Sequence, residues 1–147
     1  MSLSAWLEKG TLHRHQPSKN ELAGLLALAD RNLADAGIAA LSAEGRFNCA
    51  YGAALTAATI ALHAAGYRTN SNLPGHHTVT LHSLEYTLGA DAALINTLDA
   101  YRRKRNKISY DAPVAVAIKE AEDLAALARQ LRRDVEQWLR KKYPALI

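Results

Sequence analysis

The chain has 147 residues, 49% of them hydrophobic, one cysteine and a formal charge of +4. That length supports a single domain with its own core, and the lone Cys49 excludes an internal disulfide framework. Ala and Leu dominate and aromatic residues are 6%, a balance that favours helix and disfavours an all-β fold.

No stretch reaches the roughly 18–20 apolar residues that span a bilayer. The first nine residues lack a basic start followed by an uninterrupted apolar run. No signal peptide is therefore expected, nor a membrane partner, and the expected location is cytoplasmic.

In chain order, Ala5, Trp6 and Leu7 predict a short helical turn docked on the rest. Gly10 and Pro17 punctuate the next segment, so residues 1–17 read as an N-terminal extension with His13 and His15 in an unstructured lead. Ser18-Lys19-Asn20-Glu21 reads as a capping box, with Glu21 reaching back to the cap. The helix it opens carries Leu22, Leu25, Leu26, Ala29, Leu33 and Ala36, and Gly37 ends it with freedom for positive φ.

Ser42 caps a long Ala-rich helix to about Ala65. Its stripe of Phe47, Ala50, Tyr51, Ala54, Leu55, Ala58 and Leu62, with Gly52 and Ala53 beside it, predicts close approach by another helix. Gly66 is the stop, and Arg68 to Gly75 is the most loop-like stretch. Helices are expected from about His77 to Leu88 and from Ala92 to Ser109, followed by a break at Asp111-Ala112-Pro113. Pro113 suits a first helical turn, and Asp111 a cap. The last helix repeats Ala121, Leu124, Ala128, Leu131, Val135 and Trp138 until Pro144, the seam of a bundle. The expectation is one all-α domain, an antiparallel up-and-down bundle of four to five helices. Leu25, Leu55, Leu98, Leu131 and Trp138 face inward, and Arg129 lies on an outer face.

Arg102, Arg103, Lys104, Arg105 and Lys107 put five cations in six residues. Cations late in a helix complement its dipole by about 0.3–1 kcal/mol each, which alone would account for a solvated face. Five so close also repel one another, and phosphates would relieve that repulsion. His76, His77 and His82 read as cap, surface or packing residues, with no Cys or carboxylate at ligand spacing to them. His63 reads as structural and Cys49 as a small core residue. No zinc pattern, phosphate-cradling glycine loop or Ser-His-Asp pattern is legible, so neither metal nor cofactor is expected.

The segment Tyr101-Arg102-Arg103-Lys104-Arg105-Asn106-Lys107-Ile108-Ser109-Tyr110-Asp111 resembles the signature of HEPN (higher eukaryotes and prokaryotes nucleotide-binding) domains. Arg46 to Ala54, Ala65-Gly66-Tyr67-Arg68 and Gly75-His76-His77 are similar to the same family's second helix and the loop after it. The resemblance runs from about Leu33 to Leu139.

It implies a helical bundle, a homodimer, and a place in a toxin–antitoxin or stress system. RNA or a nucleotide, or a nucleotidyltransferase-type antitoxin, would be the partner. Active members of the family are metal-independent ribonucleases using an Arg, a polar residue such as Asn, and a His. Here the match is Arg105, Asn106 and, where the His belongs, Tyr110. A phenol near pKa 10 is a poor base where an imidazole near 6.5 is a good one. The motif thus reads as a phosphate clamp with degenerate hydrolytic chemistry. The alternatives are a non-catalytic module that binds a nucleotide or a partner protein, and a helical protein-interaction adaptor.

Overall fold

The computed structural model describes residues 2–110 and 115–147, without the side chains of Ser109 and Tyr110. Four long helices form the bundle: α2 (Lys19–Ala36), α3 (Ala43–Ala64), α6 (Ala92–Tyr110) and α7 (Ile118–Lys142). Shorter elements precede and connect them: α1 (Leu3–Glu8), β1 (Leu12–Arg14), β2 (Tyr67–Thr69), α4 (His76–His82) and α5 (Leu84–Thr87). A 3-10 turn at Pro144–Leu146 comes after α7.

Cross-links between the helices fix their directions. Glu21 at the start of α2 meets His63 near the end of α3, while Arg46 Nε at the start of α3 donates to the Ala36 carbonyl at the end of α2. Arg132 holds Asp30 at 2.8 Å, and Lys104 late in α6 holds Glu120 early in α7 at 2.7 Å. The path is up-and-down, as the apolar periodicity predicts, with more short helices than expected.

The Ala-rich stripe of α3 explains the packing. Ala53, Ala54, Ala57, Ala58 and Ala61 are wholly buried and share one core with Leu22 of α2, Leu98 of α6 and Leu124, Leu131 and Val135 of α7. Small side chains allow helix backbones to approach closely. At Gly52 an added Cβ would lie 3.0 Å from the Asn32 amide nitrogen of α2. Leu98 and Leu131 are buried as expected, whereas Leu25, Leu55 and Trp138 are half-buried at the rim of the core. Trp138 sits there edge-on to Tyr143 at 5.3 Å.

Several local expectations need correction. Residues 12–14 are a strand rather than an unstructured lead: β1 pairs antiparallel with β2, His13 opposite Arg68, and Leu12 is fully buried. Trp6 meets Tyr86 edge-on at 5.4 Å, so α1 docks as the apolar turn predicts. The stretch expected as one helix from His77 to Leu88 is two, α4 and α5, divided at the buried Ser83, whose hydroxyl donates to the Thr80 carbonyl. Gly37 keeps a negative φ of −89°, so α2 ends without the left-handed cap. Helix α7 begins at Ile118, where Glu120 accepts from the Ala117 N–H. The readings of Asp111 and Pro113 fall outside the described residues.

Candidate functional site

The five cations of α6 do not act as one patch. Helical geometry divides them, because positions three and four apart share a face while neighbours diverge. Arg103, Lys104 and Lys107 line one shallow depression with Ala100. Arg102, Arg105 and Asn106 line another, and the loop-to-α4 junction closes it with Gly75, His76, His77 and Thr78, leaving a cavity of about 260 Å³.

Within this second cleft each cation has an orienting contact. Arg102 Nε donates to Asp99 Oδ1 at 3.0 Å. Asp99 also meets Arg103 at 3.5 Å and His82 Nε2 at 3.8 Å. Burial pushes its carboxyl up, but the Arg102 hydrogen bond and the surrounding charges outweigh that and hold it below the usual range. Arg105 lies over the ring of Tyr51, 5.9 Å from its centroid. Tyr51 is buried and its hydroxyl has no hydrogen-bond partner among the described residues; burial pushes its pKa up to about 12. It therefore stays a neutral phenol and offers Arg105 an aromatic face.

His76 and His77 stack edge to face with ring centroids 4.5 Å apart. Burial pulls the His77 pKa below its ordinary value, and the positive charge of His76, Arg105 and Arg102 pulls the same way. At neutral pH the His77 imidazole is therefore uncharged, with one ring nitrogen free to accept a proton, in the same cleft as two guanidinium groups. Reading His76 and His77 as cap, surface or packing residues missed this convergence. The signal was the segment 75–77 beside the arginine motif, but only the folded chain closes one over the other.

The remaining motif positions are placed differently. Lys104 is committed to Glu120 through both carboxylate oxygens, at 2.9 and 2.7 Å. Arg103 and Lys107 are exposed and line the other depression, not the cleft of His76 and His77. Tyr110 is the last residue of α6, and its side chain lies outside the described residues. Cys49 is half-buried against the core and burial pushes its thiol up, away from nucleophilic use.

A second polar cluster lies elsewhere. Glu21 donates its backbone N–H to the Ser18 hydroxyl, as a capping box requires, but its carboxylate does not return to the cap. It meets His15 Nε2 at 2.6 Å and His63 Nδ1 at 3.1 Å instead. Burial pushes Glu21 up, yet the two imidazole hydrogen bonds outweigh it and hold the carboxyl below its ordinary range. His63, read as merely structural, and His15, read as part of a loose lead, are thus joined.

Comparisons with protein-family models, curated proteins and solved structures gave no match.

Proposed function

We propose that the chain is an RNA-associated protein of HEPN type whose cleft clamps a phosphodiester and cleaves it slowly without metal. The observation that supports this reading is the meeting of Arg102, Arg105 and Asn106 with His76 and His77 around one cavity. Paired guanidinium groups match phosphate oxygens bidentately and strengthen as charge grows on them. A neutral imidazole beside them can take the proton of a ribose 2′-hydroxyl, the task for which a phenol at Tyr110 is poorly matched. His77 is then the base that the arginine motif lacks. Turnover stays low because the family's own position for that group carries Tyr110.

A second reading is a non-catalytic module in a toxin–antitoxin or stress pair, holding a nucleotide or a nucleotidyltransferase partner. It is favoured by the commitment of Lys104, Arg102 and Arg103 to internal carboxylates, which leaves few cations for a long nucleic acid. In either case the resemblance implies a cytoplasmic homodimer, for which sedimentation of a species twice 16.0 kDa is the check.

The deciding experiment incubates purified protein with a fluorescent single-stranded RNA in the presence of chelator, alongside Arg105→Ala, His77→Ala and Tyr110→Phe. Binding lost in Arg105→Ala, with cleavage lost in His77→Ala and kept in Tyr110→Phe, supports the first reading. Binding without cleavage in every form supports the second. No binding, or cleavage abolished by Tyr110→Phe alone, overturns the role given to His77.

A further inference from the structure

His15, Glu21 and His63 come from three different elements: the residue after β1, the first turn of α2 and the last turn of α3. Their donor atoms all lie within 4.8 Å of one another, and the two imidazole rings are 4.4 Å apart at 45°. The backbone holds each in place. The His15 N–H donates to the Gly66 carbonyl at 2.9 Å, tying the end of β1 to the turn after α3. Glu21 is fixed by its N–H to Ser18 Oγ, and His63 by its helix. The cluster is independent of the arginine cleft, since His63 stands twelve residues, about 18 Å along α3, from Tyr51.

Two imidazoles converging on one carboxylate are the donor set of a three-ligand zinc site. We propose that His15, Glu21 and His63 bind one divalent cation of the zinc class, with water in the fourth position.

Metal–nitrogen and metal–oxygen distances of about 2.0–2.2 Å require tetrahedral donors about 3.3 Å apart. His63 Nδ1 already stands 3.1 Å from Glu21 Oε1, and His15 Nε2 is 2.6–2.7 Å from the carboxylate. To reach that spacing His15 Nε2 and the Glu21 carboxylate must separate by roughly 0.6–0.7 Å, and His63 Nδ1 and the carboxylate by about 0.2 Å, shifts within reach of side-chain rotation. All three side chains are about one-fifth to one-quarter exposed, which leaves a solvent-side approach beside Gly66 and Tyr67. Nitrogen-rich donors select zinc, nickel or copper over magnesium and calcium, which want oxygen. Arg68 lies near enough to His63 to act on it as a positive charge, and it opposes the ion in the same way. The bound ion would close the chain from residue 15 to residue 63, and its role is to fasten the ribbon to the bundle.

The alternative is a hydrogen-bonded His-Glu-His network with no metal, and one substitution separates the two. In His15→Gln the amide still donates to Glu21 and preserves a network, yet it is a weak zinc ligand. The untagged full chain, stripped with chelator, is titrated with zinc chloride by calorimetry, and with cobalt chloride by visible absorption. The expected result is one zinc per chain, an intense tetrahedral cobalt spectrum, and a rise in melting temperature with zinc but not magnesium. His15→Gln and Glu21→Gln should each weaken zinc binding at least about tenfold. His76→Ala/His77→Ala, which removes the adjacent imidazoles of the cleft, should retain it. Circular dichroism of each variant establishes that it is folded. No saturable zinc binding by wild type, or equal binding by folded His15→Gln, overturns the proposal. So does zinc binding lost only in the His76/His77 variant.

Discussion

Arg105 lies with its guanidinium 5.9 Å from the ring centroid of Tyr51, a buried phenol whose hydroxyl has no partner among the described residues. The ring, rather than the hydroxyl, is what the site uses. Removing the hydroxyl deletes no hydrogen bond and relieves the desolvation of a buried polar atom, so Tyr51→Phe should be neutral or stabilising. Tyr51→Leu keeps an apolar core residue but removes the aromatic face. It should leave the fold intact and weaken phosphate or RNA binding several-fold, a loss worth about 1 kcal/mol. Thermal melts and anisotropy titrations on both variants check this. Equal binding by Tyr51→Leu would show that the stack does not position Arg105.

The division of cations between two faces of α6 makes a second prediction. Phosphate contacts release counterions, so for a single strand the logarithm of affinity falls by about 0.7 per contact for each logarithm of salt. Two contacts, from Arg102 and Arg105, give a slope of about −1.4. Arg105→Ala should reduce it by about 0.7, whereas Lys107→Ala and Arg129→Ala should leave it unchanged. Equal slopes for all three variants would return the basic run to a solvated face.

How much of this was legible in the sequence depends on the range of the interactions involved. The bundle was, because Leu22, Ala54, Leu98 and Leu131 each belong to an apolar stripe at helical spacing on their own helix, and the caps at Ser18 and Ser42 act within three residues. The ribbon of β1 and β2 was not. Three-residue strands carry almost no periodic signal, and Leu12 pairs with Thr69, more than fifty residues away. The same holds for both sites. A capping-box pattern assigns Glu21 to its own backbone, whereas His63, 42 residues on, competes for the carboxylate and wins. Nor does linear spacing show that His77 closes over Arg102 and Arg105, since that contact depends on the path of residues 65–75.

Leu131 is buried in the seam of α7 while Trp138, seven residues on in the same seam, is half-buried at its rim. Leu131→Ala should cost about 2–5 kcal/mol, the range for truncating a core leucine that leaves a cavity. Trp138→Leu should cost less, because its ring stands at the edge beside Tyr143 and solvent can fill the space it leaves. Chemical denaturation of both variants gives the comparison. A smaller loss for Leu131→Ala than for Trp138→Leu would place the core elsewhere than the α3–α7 seam.

The last prediction concerns pH and tests the state of His77. Burial and the positive charge of His76, Arg105 and Arg102 lower its folded pKa below the value near 6.5 of an unfolded chain. As pH falls through about 6.5 the unfolded state takes up the proton first. It then binds more protons than the folded state, and stability falls with pH until the lowered pKa is passed. Stability contributed by the neutral imidazole is thus present above about 6.5 and lost below it. His77→Gln should remove that part of the slope in melting temperature between about pH 7.5 and 5. A phosphate in the cleft favours the protonated imidazole and should shrink the wild-type slope without affecting the variant. For cleavage that depends on His77 as a base, kcat/KM reports the free protein and should fall on the acid side at a pH lower than an exposed histidine would give. By contrast kcat, which reports the phosphate-bound state, should fall at a higher pH than kcat/KM. Melting curves of wild type that track those of His77→Gln at every pH would show that the imidazole is solvated, and would remove it from the proposed chemistry.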